Sequence, residues 1–167
     1  MKMTSTLHRT TLNFLEVFET LSLEKFLSVL TPDAEYIIAP ASSSMPVLKV
    51  GDNFAEHVRG LNSILDGFPM FPKEILENEE KGQVTIWATS LAGFKDEVKD
   101  SGLSEEEWAY RGEYIIIVTM DETREKIVRV VEFMDSRLTE RLKVLFSRAK
   151  KNLDKIKAEE KEQVGDR

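Results

Sequence analysis

In an extended strand alternate residues share a face. The run YRGEYIIIVTM therefore sets Tyr110, Gly112, Tyr114, Ile116 and Val118 on one side, with two phenols projecting together from one end of an apolar row. The later run IVRVVEFM sets Val128, Val130, Glu132 and Met134 together, which places one carboxyl among aliphatic neighbours. If that face is buried, desolvation penalises the carboxylate and raises its pKa, leaving Glu132 able to deliver or accept a proton near neutral pH. Phenolic hydroxyls beside it would donate hydrogen bonds to an enolate or alkoxide oxygen as charge develops there. Tyr110, Tyr114 and Glu132 are thus the candidate catalytic residues, and the chemistry they suit is proton transfer. The same residues admit a plainer reading, in which the phenols are packed sheet aromatics and Glu132 pairs with a surface lysine or arginine.

Four further residues are candidates for the wall of a substrate pocket. Tyr36 shares a strand face with Ile38, His57 falls beside the helical stripe Phe54, Leu61 and Leu65, and Phe14 and Phe18 share one face of a helix. Each also has an ordinary packing role open to it, and His8, near the N-terminus, is expected to be exposed. Trp87 is a candidate for a dimer face rather than the pocket. Two distant histidines and no cysteine give no zinc site and no facial iron triad, leaving only a carboxylate-held magnesium ion open. There is no glycine-rich phosphate loop, dinucleotide fingerprint or Gly-x-Ser-x-Gly elbow, so a site without a cofactor is the simplest expectation.

These residues need elements to position them. Leu7, Phe14, Leu15, Phe18 and Leu21 form one buried helical stripe, and Ser22 can cap a second helix carrying Leu23, Phe26, Leu27 and Leu30, stopped by Thr31-Pro32-Asp33. A strand is expected over 35–39 and a third helix over 52–68. Strands follow over 71–77, 84–91, 108–120 and 127–134, joined mostly by short polar turns that imply an antiparallel meander. The acidic connection 92–107, with Gly93 and Gly102, is long enough to be a flap over a pocket, or else a solvated loop. After Asp135 a helix is expected. From 149 to 167 the chain is almost wholly charged, which divides it into a domain over 1–148 and a solvated helical tail over 149–167.

A chain of 167 residues supports one core better than two, and its 41% hydrophobic and 32% charged residues are those of a folding chain. A net charge of -7 disfavours nucleic acid and anionic lipid as partners. No window approaches a membrane span and no signal peptide is visible, so the expected address is cytoplasmic.

The succession of helix, helix, strand, helix and long meander resembles the cone-shaped α+β fold shared by nuclear transport factor 2 (NTF2), scytalone dehydratase, ketosteroid isomerase and the SnoaL-like polyketide cyclases. Leu30-Thr31-Pro32-Asp33, Ala39-Pro40-Ala41-Ser42, Tyr110-Arg111-Gly112-Glu113-Tyr114 and Val131-Glu132-Phe133-Met134-Asp135-Ser136 are similar to fungal members that rearrange alkaloid and meroterpenoid intermediates. The resemblance implies a curved antiparallel sheet with three helices from the N-terminal half over one face, a C-terminal helix, and a homodimer. It also implies a cofactor-independent isomerase or cyclase acting on a bulky, mostly apolar polycyclic intermediate. In members that direct semipinacol-type rearrangements, paired tyrosines and a late-strand glutamate are implicated, and Tyr110, Tyr114 and Glu132 match them. Ala39 stands where ketosteroid isomerase has its catalytic aspartate, and no arginine lies between Glu35 and Pro40 to match the one implicated in the indole rearrangement enzymes. A dehydratase of the scytalone type and a non-catalytic binding module are the alternatives on the same scaffold.

Overall fold

The computed structural model describes residues 4–165. Helix α1, Thr6–Val17, begins where the Ser5 side chain accepts the His8 backbone N–H, and it buries Leu7, Phe14 and Leu15 as the stripe predicts. Helix α2, Leu23–Val29, begins at Ser22 in the same way. The two pack as a hairpin whose turn places Leu21 at φ 51.

Strand β1, Leu30–Ala39, starts directly after α2, so the expectation that Leu30 belongs to the helix and that Thr31-Pro32-Asp33 is a mere stop is corrected. The reason is the one that ends the helix: proline forces its predecessor into extended geometry, and here the chain stays extended. Proline cannot donate to a ladder and is confined to edges and irregularities. Accordingly the register jumps across it, from Leu30 opposite Ile127 to Glu35 opposite Arg129, so that five residues of one strand span two of the other.

A short strand β2, Leu48–Lys49, pairs with β1, and helix α3 covers Phe54–Asn62. The expected third helix ran on to residue 68. It stops early because Ser63 turns its hydroxyl back onto the Gly60 carbonyl and Ile64 tightens the last turn onto Leu61, after which Leu65–Gly67 is strand β3. Strands β4 (Met70–Asn78), β5 (Gln83–Phe94), β6 (Tyr110–Met120) and β7 (Ile127–Met134) make the meander. Trp108 closes a one-turn helix α4, Glu105–Trp108, instead of starting β6.

The seven strands form one sheet in the order β2-β1-β7-β6-β5-β3, with β4 also on β5. Among the described residues every pairing is antiparallel, as the meander predicts, except β1 with β7, which is parallel. The chain leaves β1, passes through α3 and the whole meander, and returns beside β1 in the same direction, the long crossover that parallel neighbours require. The inner face carries Tyr36, Ile86, Ile116, Val130 and Glu132, all buried under the helices. The outer face leaves Trp87, Ile115 and Phe133 substantially exposed.

Helix α5, Ser136–Gly165, is continuous across the expected boundary at 148/149, and Ala149 is fully buried. The last residues of the expected tail, 166 and 167, lie outside the described residues, as do residues 1–3. The connection after β5 is neither a flap over the cavity nor a free loop. It packs against α5, with Val98 buried and Asp100 accepting from Arg148 Nε at 2.8 Å, Arg148 Nη2 at 2.6 Å and Asn152 Nδ2 at 2.7 Å. Among the described residues no helix is long and apolar enough to cross a membrane.

Candidate active site

The concave face of the sheet, the C-terminal end of α1, α3 and α5 enclose a cavity of about 540 Å³. Its wall is mostly apolar, with Phe18, Phe26, Ile38, Phe54, Val58, Phe68 and Met134 inside and Leu142 and Phe146 closing it from α5. Among the described residues, one hydrogen-bonded ionisable pair stands on this wall.

The pair is Tyr36 and Glu132. In the parallel register Tyr36 lies opposite Val130 and Ile38 opposite Glu132, so the phenol and the carboxyl stand on one face of adjacent strands, two positions apart. That offset is what a tyrosine side chain spans, and the Tyr36 hydroxyl donates to Glu132 Oε2. Glu132 is 7% exposed, and burial pushes its carboxyl up to about 7, against the opposing pull of the hydrogen bond from Tyr36. Burial, and then the neighbouring carboxylate charge, hold the Tyr36 phenol well above its ordinary value. The proton between them therefore belongs to Tyr36, which is a standing donor, while Glu132 is poised to change charge in the range where a general acid or base works best.

Tyr110 and Tyr114 occupy the same face of β6, as alternation predicts, but they do not line the cavity. Ser90 donates to the Tyr114 oxygen at 2.9 Å, and Tyr114 donates to Tyr110 at 3.3 Å, giving a buried hydroxyl chain. Phe68, which does line the cavity, sits over both rings at 6.0 and 6.3 Å between centroids. The Tyr114 ring folds back along its own strand over Gly112, where a Cβ would run into the phenol oxygen. Burial raises both phenols, Tyr114 the more strongly. The phenol that donates to Glu132 is thus Tyr36; Tyr110 and Tyr114 stand outside the cavity lining, yet close enough for the Glu132 charge to add to the effect of burial on both.

The other predicted wall residues divide. Phe18 and His57 line the cavity; Phe14 does not, being fully buried behind Phe18 with their rings edge to face at 5.3 Å. His57 is half-buried on α3, and burial, then the nearby Lys150 charge, lower its pKa. His8 is not part of this site; it contacts Glu77 at 3.0 Å. The contribution of α5, chiefly Thr139, Leu142, Phe146 and Lys150, is absent from the sequence expectation. A signal for it exists, since Thr139, Leu142, Leu145 and Ala149 recur at helical spacing and are all buried. Among the described residues no three histidine, aspartate or glutamate side chains are grouped to hold a metal ion.

No family model matches the sequence and no curated protein matches it. Solved structures do match its architecture. The BvnE pinacolase from Penicillium brevicompactum is similar over 86% of this chain and 96% of its own, with a TM-score of 0.73 and 18% identity. AusH from Aspergillus nidulans is similar over 81% of this chain and 88% of its own, with a TM-score of 0.66 and 21% identity. An NTF2-like protein of unknown function from Burkholderia pseudomallei is similar over 85% of this chain and 98% of its own, with a TM-score of 0.64 and 13% identity. The fold of this chain is the NTF2-like, SnoaL-like α+β cone.

Proposed function

We propose that the chain is a cofactor-independent isomerase or cyclase that rearranges a bulky, mostly apolar polycyclic intermediate of natural-product biosynthesis, with Glu132 moving the proton. The observation that carries this reading is one buried carboxyl near pKa 7, held by a phenol that keeps its own proton, on the wall of a large apolar cavity. An isomerisation ends with as many protons on the substrate as it began. A single carboxylate can break a C–H or O–H bond by taking the proton as its own O–H bond forms. It then returns that proton to a different atom, and Glu132 finishes as it started. Tyr36 remains a hydrogen-bond donor throughout and limits how basic Glu132 becomes. The cavity wall contributes by holding one substrate conformer, an effect worth up to about 7–11 kcal/mol when reacting groups are well aligned. The likeness in fold to a protein named as a pinacolase supports the reaction class.

A dehydratase is the weaker alternative. Removing water needs a base at the carbon and an acid at the departing hydroxyl, and among the described residues Glu132 is the one carboxyl in the depth of the cavity. The test is incubation of purified protein with polycyclic intermediates, followed by mass and NMR. The expected product has unchanged mass, and Glu132→Gln lowers kcat/KM by about 10²–10⁴-fold. Tyr110→Phe and Tyr114→Phe should stay within a few-fold of the parent. A product lighter by one water would assign the dehydratase, and no turnover of any intermediate would favour a binding module. Undiminished turnover by Glu132→Gln would remove the mechanism.

A further inference from the structure

The two ends of the cavity differ in chemistry. The depth holds Tyr36 and Glu132 among apolar side chains, whereas the solvent-facing end, between α3 and α5, presents Glu56, His57, Lys143 and Lys150. These four are not equivalent. Lys143 is engaged by Glu140 on its own helix at 2.9 Å. Lys150 has no ion pair or hydrogen bond among the described residues, and neither does the His57 ring, although the two are close enough for the lysine charge to bear on the imidazole. Glu56 shares this rim and pairs with neither of them.

A cation at a cavity mouth with no partner, in a chain of net charge -7, runs against the field of its own protein. Beside it stands a half-buried imidazole whose burial keeps it neutral, so that one ring nitrogen carries a hydrogen to donate. On one side of the opening there is a charge to attract an anion, and on the other a neutral donor to orient it. We infer that this mouth binds an acidic oxygen of the substrate, a carboxylate or an acidic enol, with Lys150 supplying the charge and His57 the hydrogen bond. The inference deepens the proposed function and rests on its substrate cavity. It fixes how the substrate lies: acidic group outward between α3 and α5, apolar rings inward, and the reacting atoms at the far end beside Glu132. Lys150 and His57 are then specificity residues with no part in the proton transfer.

A matched pair of probes tests this without knowledge of the substrate. Pyrenebutyrate and pyrenebutanol share one polycyclic body and differ in a carboxylate against a hydroxyl, and both are read by pyrene fluorescence on titration with the intact protein. The parent should bind the carboxylate about tenfold more tightly, the size of one hydrogen bond to a charged group. Lys150→Met keeps the aliphatic stem and should abolish that preference, and His57→Gln should reduce it. Lys143→Met and Lys155→Met make the same change in net charge and should leave it intact. Glu132→Gln should also retain it, which separates this inference from the catalytic one.

Equal affinity of the parent for the two probes would overturn the inference, as would a preference that survives Lys150→Met or falls equally in Lys155→Met. Failure of both probes to bind would overturn the substrate cavity along with it.

Discussion

Replacing Glu132 with glutamine should make the protein more stable than the parent at alkaline pH while it lowers kcat/KM by about 10²–10⁴-fold. The folded-state carboxyl sits at about 7 against 4.5 for the ordinary group, and the cause is burial. Between those values the native state keeps a proton that the unfolded chain has released. The group's contribution is therefore fully present below about 4.5 and is lost as the pH rises towards 7. The interval from 4.5 to 7 corresponds to about 3 kcal/mol, of which about 2.5 kcal/mol falls between roughly pH 5 and roughly pH 8.5. Glutamine has nearly the same shape, accepts the same hydrogen bond from Tyr36 and has no charge to desolvate. The measurement is urea denaturation of both proteins at the two pH values. Every other titrating group is common to both and cancels in the difference. The variant should gain about 2–3 kcal/mol on the parent in moving from the lower pH to the higher. A stability difference that stays constant across that range would show that the Glu132 carboxyl is solvated in the folded protein, and the proton-transfer reading would fall with it.

Tyr36→Phe removes the hydrogen bond that opposes burial, so the pH–rate inflection assigned to Glu132 should move upward from about 7 by about 1–2 pH units; an unmoved inflection would mean that another group sets the profile. Gly112→Ala drives a methyl group into the Tyr114 phenol and should destabilise the fold by about 1–3 kcal/mol in a denaturant titration. Asp100→Ala releases Arg148 and Asn152 from the clasp on α5, and hydrogen exchange should quicken around residues 146–152 as KM rises. We expect the exposed outer row of Trp87, Ile115 and Phe133, which are cross-strand neighbours, to cover a second copy of the chain. Ile115→Lys with Phe133→Glu should therefore give a monomer by light scattering; unchanged mass would place any dimer contact elsewhere.

Face assignments were legible in the sequence. Period-two alternation identified the inner side of β6 and, from Val130 onward, of β7, where Tyr110, Tyr114, Ile116, Val118, Val130, Glu132 and Met134 are all buried; at the start of β7 the irregularity opposite Thr119 and Met120 buries Ile127 in place of the expected Val128. The stripe Leu7, Phe14, Leu15, Phe18 and Leu21 was equally visible, and all five are buried. Depth along a face was not legible. Tyr114 shares a face with the cavity wall, but the absence of a Cβ at Gly112 lets its ring lie down along the strand, and Phe68 packs over it. Alternation says which side a side chain leaves from and nothing about how far along the sheet its tip comes to rest. The helical periodicity of α5 was present but overshadowed by its charge, since a long helix can bury one narrow stripe and remain polar elsewhere.

What local pattern could not supply was the neighbour of β7. Tyr36 and Glu132 are 96 positions apart, and they meet because β1 lies parallel to β7 in one register. Side-chain direction in a strand has a period of two, so a slip of one residue in that pairing would turn Tyr36 to the outer face and leave the acid without its donor. The register there is preceded by the irregularity at Pro32, where five residues of β1 are taken up against two of β7. Thr31-Pro32-Asp33 carries no chemistry of its own. By absorbing three residues before the ladder becomes regular, it sets the phase in which Tyr36 and Ile38 face the cavity, so the donor that tunes Glu132 depends on a proline at the other end of its strand.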